Sequence, residues 1–125
     1  MLKSNKSKPI KRITPSDLEC PHCQESSLQL INPDVVDLLN KMNRYTTVKV
    51  LSGYLCPTEA RKRGLRDTDS CTTGNVAVIA YDSNRHLYDL VWAALTNGVR
   101  QLHIYKDCIK VGMDDMRQVG VWIHE

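Results

Sequence analysis

The chain has 125 residues, 42% of them hydrophobic and 25% charged, which is enough for one domain with a single core. No apolar run approaches the ~20 residues that span a bilayer, so no membrane partner is expected. The N-terminal lysines are followed by no apolar stretch, so a secretory signal is not expected. The formal charge of +3 is unevenly spread: Lys3, Lys6, Lys8, Lys11 and Arg12 precede the first acid, Asp17, and the rest of the chain is slightly acidic.

Residues 1–15 therefore read as a basic N-terminal arm and residues 16–125 as the domain. An arm so rich in lysine and serine is either a solvated tail or a segment ordered by an acidic partner surface. No folded nucleic-acid module follows it, so specific nucleic-acid recognition is not expected. Five cysteines cannot all pair with one another, which favours mostly free thiols in a reducing compartment.

Cys20-Pro21-His22-Cys23 is a C-x-x-C. In thioredoxin-fold oxidants the C-P-H-C form follows a buried strand and opens a helix, whose N-terminus lowers the thiol pKa. Here Lys11 to Glu19 holds no apolar strand, and Gln24-Glu25-Ser26-Ser27 is a poor helix start, so a redox role is not favoured. A Cys-rich zinc site would need two further ligands, for which Cys56 and His22 are available, but there is no second C-x-x-C. The favoured reading is a pair of small cysteines, buried or disulfide-capable, that pin the N-terminal loop. No cofactor is expected; Cys20 and Cys23 are the residues that would hold a structural zinc.

Asn32-Pro33-Asp34 predicts a helix start, with Val35, Val36, Leu38, Leu39 and Met42 as its core stripe. Thr46 to Leu51 alternates as a strand does, Pro57 to Arg63 suits a short helix ended by Gly64, and Arg66 to Thr73 is a polar loop. Val76 to Tyr81 reads as a buried strand. Ser83 can cap a helix running to about Asn97, with Leu87, Leu90, Val91, Ala94 and Leu95 inward and Gly98 as its stop. Val99 to Tyr105, Cys108 to Met113 and Gly120 to His124 follow as three short strands in a meander. The sum is an α+β domain, a mostly antiparallel sheet packed with two main helices.

Ser52-Gly53-Tyr54-Leu55-Cys56-Pro57, then Ser70-Cys71-Thr72-Thr73-Gly74, then Asp107 to Lys110 follow the order and spacing of a known frame. They resemble the D-Ala-D-Ala carboxypeptidase and phage endolysin family of peptidoglycan-cutting zinc enzymes, which reads S-G-Y-R-C-P, S-x-H-x-x-G-x-A-x-D and D-x-x-H-x-D. Asp17-Leu18-Glu19-Cys20 and Cys23 match the family's E-F-x-C opening and the cysteine after it. The Pro33–Leu39 helix, the Gly98–Tyr105 strand and Val121-Trp122 match later pieces. The likeness spans about residues 16 to 125 and implies a single carboxypeptidase-like domain.

The departures fall on chemistry. Cys71, Val78 and Lys110 stand where the family has His, Asp and His, and Leu55 stands at its substrate-binding Arg. A catalytic zinc needs three protein ligands and an open place for water; valine cannot ligate and an ammonium repels the ion. Asp107 keeps the acid of D-x-x-H, but without metal-bound water it has nothing to activate, and it also reads as a plain turn residue. The resemblance thus implies a domain without peptidase activity, with no catalytic residue among Leu55, Cys71, Val78, Asp107 and Lys110.

The family's small phage-encoded members suggest a virion accessory protein of capsid, neck, tail or baseplate. Such a protein would be made in the host cytoplasm and bind other virion proteins or itself. The alternatives are a non-catalytic peptidoglycan-peptide binder, and a divergent cell-wall peptidase whose ligands have rearranged to Cys71 with His103 or His124. Arg61, Lys62, Arg63 and Arg66 form a basic cluster suited to an anionic partner or to solvent.

Overall fold

The computed structural model describes residues 11–66 and 69–125. Residues 1–10 of the expected arm, and Asp67 and Thr68 of the polar loop, lie outside the described residues.

Among the described residues three α-helices alternate with the first strands, and the last three strands follow one another. Helix α1 spans Pro33–Met42, α2 Pro57–Lys62 and α3 Asn84–Thr96. Strands β1 (Lys49–Ser52), β2 (Val76–Ala80), β3 (Gln101–Ile104), β4 (Cys108–Gly112) and β5 (Gly120–Ile123) form one sheet in the order β1-β2-β4-β3-β5. The β1–β2, β2–β4 and β3–β4 pairs are antiparallel and β3–β5 is parallel. The domain is therefore α+β with a mixed sheet, antiparallel in all but its last pairing. The expected meander fails at that point. β2 already occupies the free side of β4, so the chain from Met113 to Val119 runs back and lays β5 along the outside of β3.

The helix ends form as their sequences dictate. The Asn32 side chain accepts from the Asp34 N–H at 2.9 Å with Pro33 in the first turn, and Ser83 accepts from the His86 N–H at 3.0 Å. Gly98 follows α3 at φ 85°, a conformation glycine adopts without strain. Strand alternation divides the sheet into two faces. Ala77, Ile79, Leu102, Ile109 and Val111 join Val35, Leu38, Leu39, Met42, Leu90, Ala93 and Ala94 in the main core, so α1 and α3 cover this face. On α3, Ala93 is buried and Leu95 is half exposed, which corrects the expected inward position of Leu95. The opposite face carries a smaller cluster, Leu55, Ala60, Cys71 and Val76, under α2 and the turn at Ser70–Thr72. The rest of that face is open.

The N-terminal segment is packed despite lacking regular α or β structure. It carries short 3₁₀ helices at Pro15–Leu18 and Gln24–Leu30. Packing already begins at Ile13, inside the expected arm: its side chain is buried, and Asn40 pairs with both its N–H and its C=O at 2.8 Å. An apolar side chain with both backbone groups satisfied has reason to order. Gly53 makes the next contact possible. A Cβ there would stand 2.5 Å from the Leu18 Cβ, so only glycine lets the segment cross the end of β1. Beside it the Tyr54 N–H donates to the Leu18 carbonyl at 2.9 Å.

Candidate functional site

Two regions hold chemistry-bearing side chains. The first is the open sheet face on which the sequence places the substituted ligand positions. Val78 pairs with Lys110, Lys110 with His103, and His103 with Trp122, so these four side chains form a row across the sheet. The Lys110 ammonium donates to the Ser70 hydroxyl at 2.8 Å. Cys71, next in the chain, is buried, and the Asp69 carboxylate accepts from its N–H at 3.0 Å. Cys71, Val78 and Lys110 thus belong to one neighbourhood.

That neighbourhood is electrostatically quiet. Burial pushes the Cys71 thiol up to about 12, with Asp69 adding to the shift and the Lys110 charge opposing it. A thiol so protonated is no nucleophile at neutral pH. The Asp69 carboxyl is held below its usual value: burial raises it, but the Cys71 N–H and thiol, the Lys110 charge and the Ser70 hydroxyl outweigh burial. Leu55 is buried in the small cluster, its N–H donating to the Cys71 carbonyl at 2.9 Å. Asp107 is exposed in the β3–β4 turn.

Beyond Lys110 the face is aromatic. His103 stacks on Trp122 at 4.8 Å, Tyr105 stacks on His124 at 4.3 Å, and His103 Nδ1 lies 2.9 Å from His124 Nε2. Burial pushes His103 down to about 4, helped by the charges of Lys110 and His124. The ring is therefore neutral at physiological pH. A cleft of about 340 Å³ opens here, lined by Arg66, Asp69, Ser70, His103, Lys110 and Arg117 among others. Of the basic cluster, Arg66 reaches this cleft, while Arg63 pairs with Glu59 on its own helix at 3.1 Å.

The second region is a thiol corner where the N-terminal segment meets α2. The sulfurs of Cys20, Cys23 and Cys56 all lie within 4.8 Å of one another. Among the described residues this is the group of His, Cys, Asp or Glu side chains whose donor atoms converge, and Cys71, His103 and His124 are not part of it. All five cysteines are free thiols. The three in the corner lie close enough to bind a metal ion, and a structural zinc fits their chemistry.

The local backbone is built around these sulfurs. The Cys56 N–H donates to Cys20 Sγ at 3.3 Å, and the Glu59 N–H to Cys56 Sγ at 3.4 Å, with Pro57 opening α2 between them. The C-x-x-C closes as a tight turn through Gln24 N–H to Cys20 carbonyl at 2.7 Å. Gln24 sits at φ 51°, the only non-glycine residue among those described at positive φ. A non-glycine residue in that region is uncommon and persists where its surroundings demand it. Burial pushes the Cys20 thiol up, but the N–H groups of Cys56, Cys23 and His22 and the Cys56 thiol together bring it below its ordinary value. Cys23 is pushed up to about 11, first by its hydrogen bond with Cys56, then by burial and the charges of its neighbours. Three thiolates this close repel one another, and a cation removes that conflict.

Sequence spacing singled out Cys20 and Cys23 and offered Cys56 and His22 as further ligands; what it did not favour was their convergence, with 32 residues between Cys23 and Cys56. The available signal was the repeated Cys-Pro pair, Cys20-Pro21 and Cys56-Pro57. Each proline follows a cysteine and opens a turn whose N–H groups face sulfur. Comparisons of the chain with protein-family models, with curated proteins and with solved structures found no match.

Proposed function

We propose that the chain is a carboxypeptidase-like domain without peptidase activity, a structural or binding protein whose working surface is the open sheet face. The observation that carries this reading is the position of Lys110. Its ammonium stands on Ser70 beside the buried Cys71 thiol and directly across the ladder from Val78. An internal ammonium supplies positive charge near Asp69 where the peptidases place a dication, but it can neither polarise a carbonyl nor activate water. The setting we favour is a bacteriophage particle, with the basic residues 1–12 reaching onto neighbouring subunits. Its support is the resemblance to small phage-encoded members of the family.

A structural zinc on Cys20, Cys23 and Cys56 belongs to the same proposal. It would fasten the N-terminal segment to the start of α2 and leave the open face free for a partner.

Two experiments test the functional reading. Purified protein with added zinc is incubated with sacculi, and soluble peptide fragments and co-sedimented protein are both quantified. Purified phage particles are also searched for the chain by mass spectrometry. No fragments, and a fixed copy number per particle, are the expected results. Fragment release would overturn the loss of activity. Tight sedimentation without fragments, coupled with absence from particles, would favour a peptidoglycan-peptide binder.

A further inference from the structure

The thiol corner offers three sulfurs, and a tetrahedral metal needs a fourth donor. We infer that His22, through Nδ1, closes the site as a Cys₃His centre with Cys20, Cys23 and Cys56. This inference rests on the structural-zinc reading above and adds the identity of the fourth ligand, and with it the site's lack of an open position.

The distances carry it. A tetrahedral zinc with Zn–S of about 2.3 Å and Zn–N of about 2.0 Å has S···S edges near ~3.8 Å and S···N edges near ~3.6 Å. His22 Nδ1 lies 3.5 Å from Cys56 Sγ and 3.8 Å from Cys23 Sγ, near the length of two of the three S···N edges. The ring is exposed, so its Nε2 faces solvent and can keep its proton, which leaves the Nδ1 lone pair for a metal. No aspartate or glutamate joins the three thiols among the described residues; His22 meets two of them and stands outside the set whose donor atoms all lie within 4.8 Å of one another, so its ring moves toward Cys20 as the metal closes the tetrahedron.

Balance of charge and protons favours the same arrangement. Binding releases the three thiol protons to solvent and involves no redox change. The neutral imidazole then completes a centre of net charge −1, where a fourth thiolate would make −2. Two backbone N–H groups, from Cys56 and Glu59, already point at Cys20 Sγ and Cys56 Sγ and spread the remaining negative charge. With four protein donors the metal has no place for substrate or hydrolytic water, so the centre is structural and not a displaced peptidase site.

Zinc K-edge X-ray absorption on the full chain, loaded with one equivalent of zinc, reads this directly. The inference predicts three sulfurs at about 2.3 Å, one nitrogen at about 2.0 Å, and the outer-shell scattering of one imidazole. In His22→Ala the imidazole scattering should vanish, an oxygen should take its place, and zinc affinity should fall by roughly tenfold or more, since loss of outer-shell partners alone costs ~10–100-fold. His22→Cys should keep tight binding with four sulfurs. Zinc bound through three sulfurs and oxygen in the unsubstituted chain would overturn His22 as a ligand and leave the metal reading standing. A chain that takes up no zinc would overturn both. Because the unsubstituted spectrum is decisive, a poorly folded variant leaves the test intact.

Discussion

The open face and the thiol corner each carry cysteines, yet their chemistry is opposite. At the corner three sulfurs converge within 4.8 Å, with backbone N–H groups aimed at two of them. On the face the Cys71 thiol lies in the small apolar cluster beside the Asp69 carboxylate, pushed up to about 12 by burial and Asp69, with the Lys110 charge opposing. Metal chemistry depends on which donors point at one another. Cys71 belongs to no converging group of three donors among the described residues, whereas Cys56 is well placed because Cys20 and Cys23 face it.

The largest effect that separates the two regions is expected from Cys56→Ala. Removing a sulfur from the corner forfeits metal binding, which in small domains is folding energy, so thermal unfolding should show a loss of about 3 kcal/mol or more. Cys71→Ala removes a buried sulfur from the smaller cluster and should cost only about 1–2 kcal/mol. Equal losses would erase the distinction.

Gly53→Ala comes next. Its Cβ would stand 2.5 Å from the Leu18 Cβ and 2.6 Å from the Leu18 carbonyl oxygen, so the segment carrying Cys20 must lift from β1. We expect a loss on the order of 2–4 kcal/mol in denaturant unfolding and weaker zinc binding. Unchanged zinc affinity in this variant would show that the corner assembles without that crossing.

A pH titration sharpens the comparison from the side of the face. His103 titrates near 4 in the folded chain against 6.5 when unperturbed, so the unfolded state binds more protons between those values. Stability should be full above pH ~6.5, fall as the pH drops toward ~4, and lose nothing more from this group below that. His103→Gln should remove that part of the slope. An identical slope in the variant would show that His103 does not carry it.

The smallest effect is expected from Lys110→Met, which forfeits one hydrogen bond to Ser70 on a partly exposed face, about 1 kcal/mol or less by thermal melting. A larger loss would mean that the ammonium holds the Asp69–Ser70 turn together.

Much of the fold was legible because its signals are local. Asn32-Pro33 and Ser83 cap their helices by direct hydrogen bonds, and Gly98 ends α3 at positive φ. The order of the strands was not legible, because β5 reaches the outside of β3 only once β2 has taken the free side of β4. The Val76–Tyr81 run hid the open face: its residues are apolar on both sides, and only the pairing of Val78 with Lys110 shows which side is covered. The N-terminal segment escaped notice because 3₁₀ turns carry no apolar period. Its order comes from tertiary partners, Ile13 with Asn40 and Leu18 with Gly53. The thiol corner was half legible, through C-x-x-C, and completed by a residue that only folding brings near.

The most direct test of the difference between the regions is the zinc stoichiometry of the full chain, measured by native mass spectrometry on the unsubstituted protein and on Cys56→Ala and Cys71→Ala. The account predicts one zinc per chain in the unsubstituted protein and in Cys71→Ala, and none in Cys56→Ala. A zinc that survives Cys56→Ala and departs with Cys71→Ala would place the metal on the open face and contradict the account.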